Sequence, residues 1–566
     1  MKRRHFLIGS AASAGVFVLA EGCNQSGVLD PANLPFTGYT LDVKYGTNVV
    51  GGYRMHTRTY NGGTLGPILE TSPGSTLGIR VVNSLPPNPP ATVPQSARIP
   101  APKSMMEAMQ RNPKATTMSS GIDPMNNPHD FNTTNLHVHG VQTVPHLFEP
   151  VGTRNPSAMM ININPGSSLT YEFPIPADHP SGLFWFHPHH HGSTDVQVSG
   201  GMAGLIVVRG EIDQVPEIKA AREVFMVVQT LNVNQSKTDP SLYEYEPIAY
   251  ETPQDGGYNL GTDFTMLTVN GQGVCWANNN ANNGNGSYTP LPVPQFEMKP
   301  GEVIRLRILN GTNFLFLPLA FPGLETYAIA FDGVNLAAPI PMTLNYTGSI
   351  SAANMFTQNV FITSPANRLD FLVRAPQQPG TYTISACATS DVAFMPFPQF
   401  DLAQIVVSGS PVSMNIPAAL PIPQREYPPI ADSEIVATRT ITYTEGPNST
   451  LLTGFGFYID GKLYDEMSIP LSPRSGTAEE WTIVNKTTES HPFHVHVNSF
   501  QVYAVNGVKQ PPPNVWDTFL VPPMSGSTPG TLTIRIRFKE FRGKTVHHCH
   551  VLPHEDTGMM QNLMIT

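Results

Sequence analysis

Apolar and polar positions alternate along this chain in short runs that end at turns. Three of the runs share one phrase. Pro73–Asn83 reads PGSTLGIRVVN, Pro300–Asn310 reads PGEVIRLRILN, and Ser475–Asn485, SGTAEEWTIVN, is a worn third copy. Each is a glycine-bearing turn followed by a period-2 alternation, which predicts a half-buried strand. Leu205–Arg209, Leu369–Arg374 and Leu532–Phe538 also read as strands. A phrase this long, recurring so far apart, predicts three homologous β-domains rather than a solenoid. Antiparallel sandwiches are the natural architecture for short strands at this spacing.

Boundaries fall near residues 212 and 420, giving domains at 31–212, 213–420 and 421–566. Pro411–Pro429 is proline-rich, lacks a strand pattern and reads as a linker. Residues 86–135 form a long insertion in the first domain, with a short helix expected at Ser104–Arg111. Insertions of this length are usually functional lids or mobile loops.

Length and composition narrow the picture. A chain of 566 residues exceeds what one hydrophobic core supports, in line with several domains. With 47 glycines and 56 prolines, it favours turns and short strands over long helices. A formal net charge of -10 and few charged residues exclude nucleic acid as a partner, since phosphate neutralisation needs a basic face. Of the four cysteines, Cys275 and Cys387 could bridge in an oxidising compartment or remain two buried thiols.

The first 30 residues read as an export signal and short linker. Lys2, Arg3 and Arg4 precede an apolar run from Phe6 to Ala20 that is too short for a permanent membrane span. Arg3–Leu7 resembles a twin-arginine signal, the route of proteins exported folded to the periplasm or beyond. Leu19–Cys23 loosely resembles a lipoprotein cleavage box, so simple cleavage and a lipid anchor at Cys23 are both open. No later segment reads as transmembrane.

The 18 histidines are grouped rather than scattered. His137-Val-His139-Gly, His187-Pro-His189-His190-His191, His491-Pro-Phe-His494-Val-His496 and His547-His548-Cys549-His550 stand out, with His554 and Met559 following. Residues two apart on a strand share a face. His137 with His139, His187 with His189, His494 with His496, and His548 with His550 therefore converge in pairs. Two pairs lie in the first domain and two in the third, which predicts a site between them. Eight imidazoles suit copper, zinc, iron or nickel.

Parity then separates a second site. Cys549 points away from His548 and His550, and His491, three before His494, also has the opposite parity. Joined by His554 and Met559, they form two histidines, a thiolate and a distant methionine, the ligand set of a blue copper centre. The backbone from Cys549 to His548 and His550 is a short covalent path between the two sites. Electrons entering at the thiolate can follow it to a cluster able to give dioxygen all four.

In this order the motifs HxHG, WFHPHxHG, HPFHxH and HCHxxxHxxxxM resemble the multicopper oxidases, which include laccases, bilirubin oxidases and bacterial copper-efflux oxidases. The resemblance covers nearly the whole exported chain. It implies an all-β chain of three cupredoxin-like Greek-key β-sandwich domains and four copper ions: one type 1, one type 2 and two type 3. It also implies a small reducing substrate with dioxygen as acceptor, and a monomer is expected. By position, His491, Cys549 and His554 would bind the type 1 copper with Met559 as weak axial ligand. His137 and His494 would bind the type 2 copper. His139, His187, His189, His496, His548 and His550 would bind the type 3 pair. His190, His191 and His547 fall outside the ligand positions, as supporting or surface residues, and His129, His146 and His179 receive no role. Glu555 matches a family carboxylate that delivers protons. The other such position falls near Phe148, with Glu149 one residue on.

The substrate is open at this stage. A laccase-like oxidase of phenols or aromatics competes with a dedicated copper(I) or other metal-ion oxidase. The second reading draws on Met105, Met106, Met109, Met118 and Met125 in the insertion, since thioethers select copper(I), although methionine also simply fills apolar gaps. A copper nitrite reductase would lack the full set of eight histidines. A copper storage protein would not need Cys549 wired between two sites.

Overall fold

The computed structural model describes residues 38–88, 123, 125–245, 263–279, 286–423, 428–448, 450–451, 454–511 and 515–566. It is 49% strand and 5% helix, an all-β protein. The repeated phrase supplies the same strand three times. Thr76–Asn83, Val303–Asn310 and Thr477–Asn485 each lie between a parallel neighbour that precedes them in the chain and an antiparallel neighbour that follows. The neighbours are Tyr39–Val50 and Ser168–Pro174 in the first unit. They are Arg222–Gln235 and Arg368–Arg374 in the middle unit, and Ile435–Pro447 and Gly530–Phe538 in the third. The sheets are therefore mixed rather than purely antiparallel, because each unit sets its opening strand parallel to the phrase strand.

The two fixed residues of the phrase have physical causes. Gly74, Gly301 and Gly476, in the turns before the strands, have φ of 78°, 76° and 81°, where a Cβ is strained. The closing asparagines, all buried, repeat one device. Asn83 donates to the carbonyls of Asn132 and Ile163. Asn310 donates to those of Leu315 and Thr363, and Asn485 to those of Glu489 and Pro522. Each side-chain oxygen accepts from the amide two residues on. The asparagine thereby fixes how the chain leaves the strand.

A second sheet closes each unit. In the first it runs Ile68–Thr71, Gly204–Val208, Gly182–His187, His137–His139, with His137–His139 at its edge. The core lies between the two sheets, where Leu41, Val43, Ile79 and Val81 meet Phe184, Phe186, Ile206 and Val208. In the third unit it runs Thr518–Val521, His491–Val495, Gly543–Cys549, Met560–Ile565, with the two histidine-bearing strands central. The short strand Leu242–Glu244 pairs with both Tyr53–Tyr60 and Arg222–Gln235, joining the first and middle units in one sheet.

Cys275 and Cys387 are buried free thiols, so the bridge left open by the sequence is not formed. No helix among the described residues is long and apolar enough to cross a membrane. The signal segment, Cys23, the Ser104–Arg111 helix, Met105, Met106, Met109 and Met118 lie outside the described residues.

Candidate metal centre

In the third unit the register sets Phe493 opposite Cys549 and His494 opposite His548. Cys549 and His491 therefore face one side of the sheet, and His494 and His548 face the other. On the first side, Cys549 Sγ lies 3.5 Å from His491 Nδ1 and 3.7 Å from His554 Nδ1, and the two nitrogens are 3.2 Å apart. A triangle of that size has its centre about 2 Å from each corner, the length of a metal–nitrogen or metal–thiolate bond. Met559 is fully buried in the same apolar cluster, and its carbonyl accepts the Cys549 amide. Phe457 stacks on His554 at 3.9 Å.

On the other side the eight histidines meet between the first and third units. Three groups have ligand atoms all within 4.8 Å of one another: His137, His139 and His494; His139, His187 and His550; and His189, His496 and His548. His189 Nε2 is 3.1 Å from His548 Nε2, which is 3.4 Å from His496 Nε2. Strand parity accounts for His137 and His139, which share a strand. His189, His496 and His550 each stand just past a strand end, so the turn that follows also aims them. Three of the four sequence pairs split between groups, whereas His137 and His139 share the first and His139 also belongs to the second.

The donors fit a metal such as copper. The His137 Nε2, His139 Nδ1, His187 Nε2, His494 Nε2 and both His550 nitrogens are buried without a hydrogen-bond partner. Such atoms are costly unless something coordinates them. Burial pushes His187 and His491 down to about 3. It pushes His137, His139, His189, His494, His496, His550 and His554 well below the usual imidazole range. The rings are thus neutral with lone pairs available. Two histidines with one thiolate and a methionine nearby is a copper set, and imidazole groups of three suit copper equally.

Several of the second ring nitrogens are anchored, which sets the tautomer of those rings. His187 Nδ1 donates to the Pro188 carbonyl, His494 Nδ1 to that of Asp517 and His548 Nδ1 to that of Cys549. His146, given no role by the sequence, lies stacked on His137 with its Nε2 3.0 Å from His137 Nδ1. It donates its own Nδ1–H to Val144, so Nε2 is the acceptor and His137 keeps Nε2 for the metal. Its only sequence signal is that it follows the HxHG motif closely.

Two carboxylates reach the cluster among the described residues. Glu555 is fully buried, with Oε1 3.2 Å from His189 Nδ1 and Oε2 3.1 Å from His548 Nδ1. Asp517 Oδ1 lies 3.1 Å from His139 Nε2 and 3.8 Å from His494 Nδ1. Asp517 carries no motif and sequence reasoning missed it. The position near Phe148 supplies no acid, because Phe148 is buried under the Lys544 ammonium and Glu149 is exposed. His547, His190 and His191 are buried rather than at the surface. His547 meets Gln561, His190 meets Ser193, and His191 meets Asn126 and Tyr464. Met125 packs beside the apolar cluster of Phe148 and Tyr464.

Comparison with known proteins agrees with this arrangement. Three models described as multicopper oxidase match residues 121–212, 249–397 and 436–566. A multicopper oxidase of Staphylococcus aureus is 23% identical over 551 residues, covering 95% of this chain and 91% of that protein. A laccase of Bacillus subtilis is 24% identical over 421 residues, 69% of this chain and 72% of the laccase. Among solved structures, a Campylobacter jejuni multicopper oxidase described as a metallo-oxidase superposes with a TM-score of 0.63 at 22% identity, covering 94% of this chain and 93% of that one. A laccase-like oxidase from the lignin-degrading Ochrobactrum sp. gives 0.63 at 21%, with 94% and 97% covered.

Proposed function

This chain belongs to the multicopper oxidase family and is an oxidoreductase that uses dioxygen. From that premise we propose that it takes single electrons from a small reducing substrate at the Cys549 site and passes four to each dioxygen, which with four protons leaves as two waters. One observation carries the reading. Cys549 belongs to the thiolate group, while its bonded neighbours His548 and His550 belong to two different histidine groups. A continuous covalent path thus joins the two sites.

Copper bound in these groups, one ion of type 1, one of type 2 and two of type 3, would supply the one-electron steps and the reduction of dioxygen. His491, Cys549, His554 and Met559 would hold the first. His137 and His494 would hold the second. His139, His187, His189, His496, His548 and His550 would hold the pair. The chain's own residues do the rest. Apolar packing by Phe457, Phe493 and Leu563 keeps water from the thiolate. Glu555, between His189 and His548, is the carboxyl that holds a proton at the cluster and passes it on. His554 Nε2, which lies beside Glu489, is the edge where electrons enter.

Phenols and other aromatics are the first substrate class, as the likeness to named laccases supports. A second reading, a metal-ion substrate, is favoured by one feature. Glu489 Oε2 lies 3.5 Å from His554 Nε2. Burial and the neighbouring Glu445 push the Glu489 carboxyl well above its usual range, and burial lifts Glu445 to about 7. A cation would relieve that pair. The likeness to a protein described as a metallo-oxidase supports the same reading. Oxygen uptake by the copper-loaded protein, measured with a phenol and with copper(I) or iron(II), separates the two. Uptake with none of them overturns the proposal. Export through the Arg3–Leu7 signal belongs to the reading and is tested by fractionating cells that carry Arg3→Lys with Arg4→Lys.

A further inference from the structure

The middle unit contains no histidine, yet it reaches the edge of the cluster. Asp332 and Asn367 bond the backbone of Asp517 and Thr518, and Arg368 bonds the Asp517 carboxylate. Arg368 opens the strand Arg368–Arg374 and is buried. A guanidinium has five N–H donors, and all five are used. Nε donates to the Leu183 carbonyl at 3.3 Å, and Nη1 to the Ala366 carbonyl at 3.0 Å and Asp517 Oδ1 at 2.9 Å. Nη2 donates to the Asp332 carbonyl at 3.0 Å and to Asp517 Oδ2. Leu183 belongs to the first unit, Ala366 and Asp332 to the middle one, and Asp517 to the third. One planar fork therefore ties all three units together.

The fork fixes the Asp517 carboxylate in one orientation. Its Oδ1 then accepts from Thr518 Oγ1 at 2.9 Å and from His139 Nε2 at 3.1 Å. With its proton held on Nε2, His139 presents Nδ1, which is buried without a partner. The Asp517 carbonyl takes the Nδ1 proton of His494 at 2.7 Å, leaving Nε2 of that ring for the metal. The glycine of the HxHG motif belongs to the same device. Gly140 has φ of 79°, and a Cβ there would collide with Arg368 Nη2 and Asp517 Oδ2.

We propose that Asp517, clamped by Arg368, is a positioning residue that selects the metal-binding nitrogen of His139 and, with it, metal occupancy of the neighbouring groups. The histidine-free middle unit thereby controls a site to which it gives no ligand. The inference rests on the copper reading of the cluster.

Asp517→Asn tests it with little change of shape. If the amide NH2 faces Arg368, donor meets donor. If it faces His139, the ring must accept on Nε2 and carry its proton on Nδ1, where the metal should bind. Either way the cluster should lose copper affinity, by about 10–100-fold as for other partners of metal-ligating histidines. The readouts are copper per chain after equilibration with a competing chelator and the type 2 paramagnetic spectrum. Retained blue absorption shows that the third unit is folded. Arg368→Lys keeps the charge but not the fork, and should give a smaller loss in the same direction. Both variants retaining full cluster copper and an unchanged spectrum, even with a lowered unfolding midpoint, would reduce the pair to a strap between units and overturn the inference. A wild-type chain that takes up no copper at the cluster overturns this inference and the copper reading together.

Discussion

The thiolate group and the histidine cluster lie on opposite faces of one sheet, yet they are assembled differently. His491, Cys549, His554 and Met559 all come from the last 76 residues of the chain and from one unit. The cluster draws rings from the first and third units, separated by 359 residues in the His189–His548 pair, and its orientation depends on Arg368 from the middle one. The difference shows that a site built within one unit is set by strand register, whereas a site between units is set by how the units dock. It follows that the two should respond separately to mutation, although His548 and His550 join them covalently.

The largest effect should come from Cys549→Ser, which breaks the thiolate group and spares the cluster. Blue absorption and substrate oxidation should vanish while cluster copper stays, as read by elemental analysis and paramagnetic spectra. A variant that still oxidises a phenol at the wild-type rate would mean that electrons bypass Cys549. Glu555→Gln acts on the opposite side. It should slow dioxygen reduction by about 10²–10⁴-fold and leave reduction of the blue centre by substrate intact, a split that stopped-flow absorption resolves.

Acid should weaken the copper-free protein through both regions, because both bury neutral rings. Burial holds His146 down to about 4 and His187, His491 and His547 to about 3, against an ordinary value of 6.5. Below pH 6.5 the unfolded chain takes up protons that the folded chain refuses. Stability from these rings is therefore complete above pH 6.5 and lost as pH falls towards 4 and then 3. His146 alone contributes on the order of 3 kcal/mol of that loss. Denaturant melts of the copper-free chain between pH 7 and 4 check it, and a flat profile would contradict the burial of these rings.

Smaller effects separate the two regions further. His146→Phe keeps the aromatic volume beside His137 but removes the acceptor that sets its tautomer. Copper affinity at the cluster should drop about tenfold with the blue centre unchanged, as chelator competition would show. Met559→Leu should do the converse. It removes a soft donor from the thiolate group and should raise that centre's reduction potential, leaving cluster copper in place. An unchanged potential in a fully loaded variant would count against axial ligation.

Much of this organisation was legible in the linear chain, because it rests on local spacing. The glycine turn, alternating strand and closing asparagine recur three times and take the same place in each unit. The HxH pairs and the Cys549 between two histidines announce themselves through strand periodicity. The same periodicity did not reveal that His189, His496 and His550 stand beyond their strands, since strand ends depend on the partner strands. Nor did it show the mixed pairing of the sheets, which is decided by which strands become neighbours.

His146, Asp517 and Arg368 carry no repeat or motif. Asp517 stands 378 residues from His139 and 149 from Arg368. Residue type and spacing along a strand determined the donor sets and the parity that parts thiolate from imidazoles, because backbone geometry projects side chains alternately wherever a strand forms. The docking of three units decided which nitrogen each ring presents and which carboxylates reach the rings. Those contacts exist only once distant strands are packed, and nothing in local spacing encodes them.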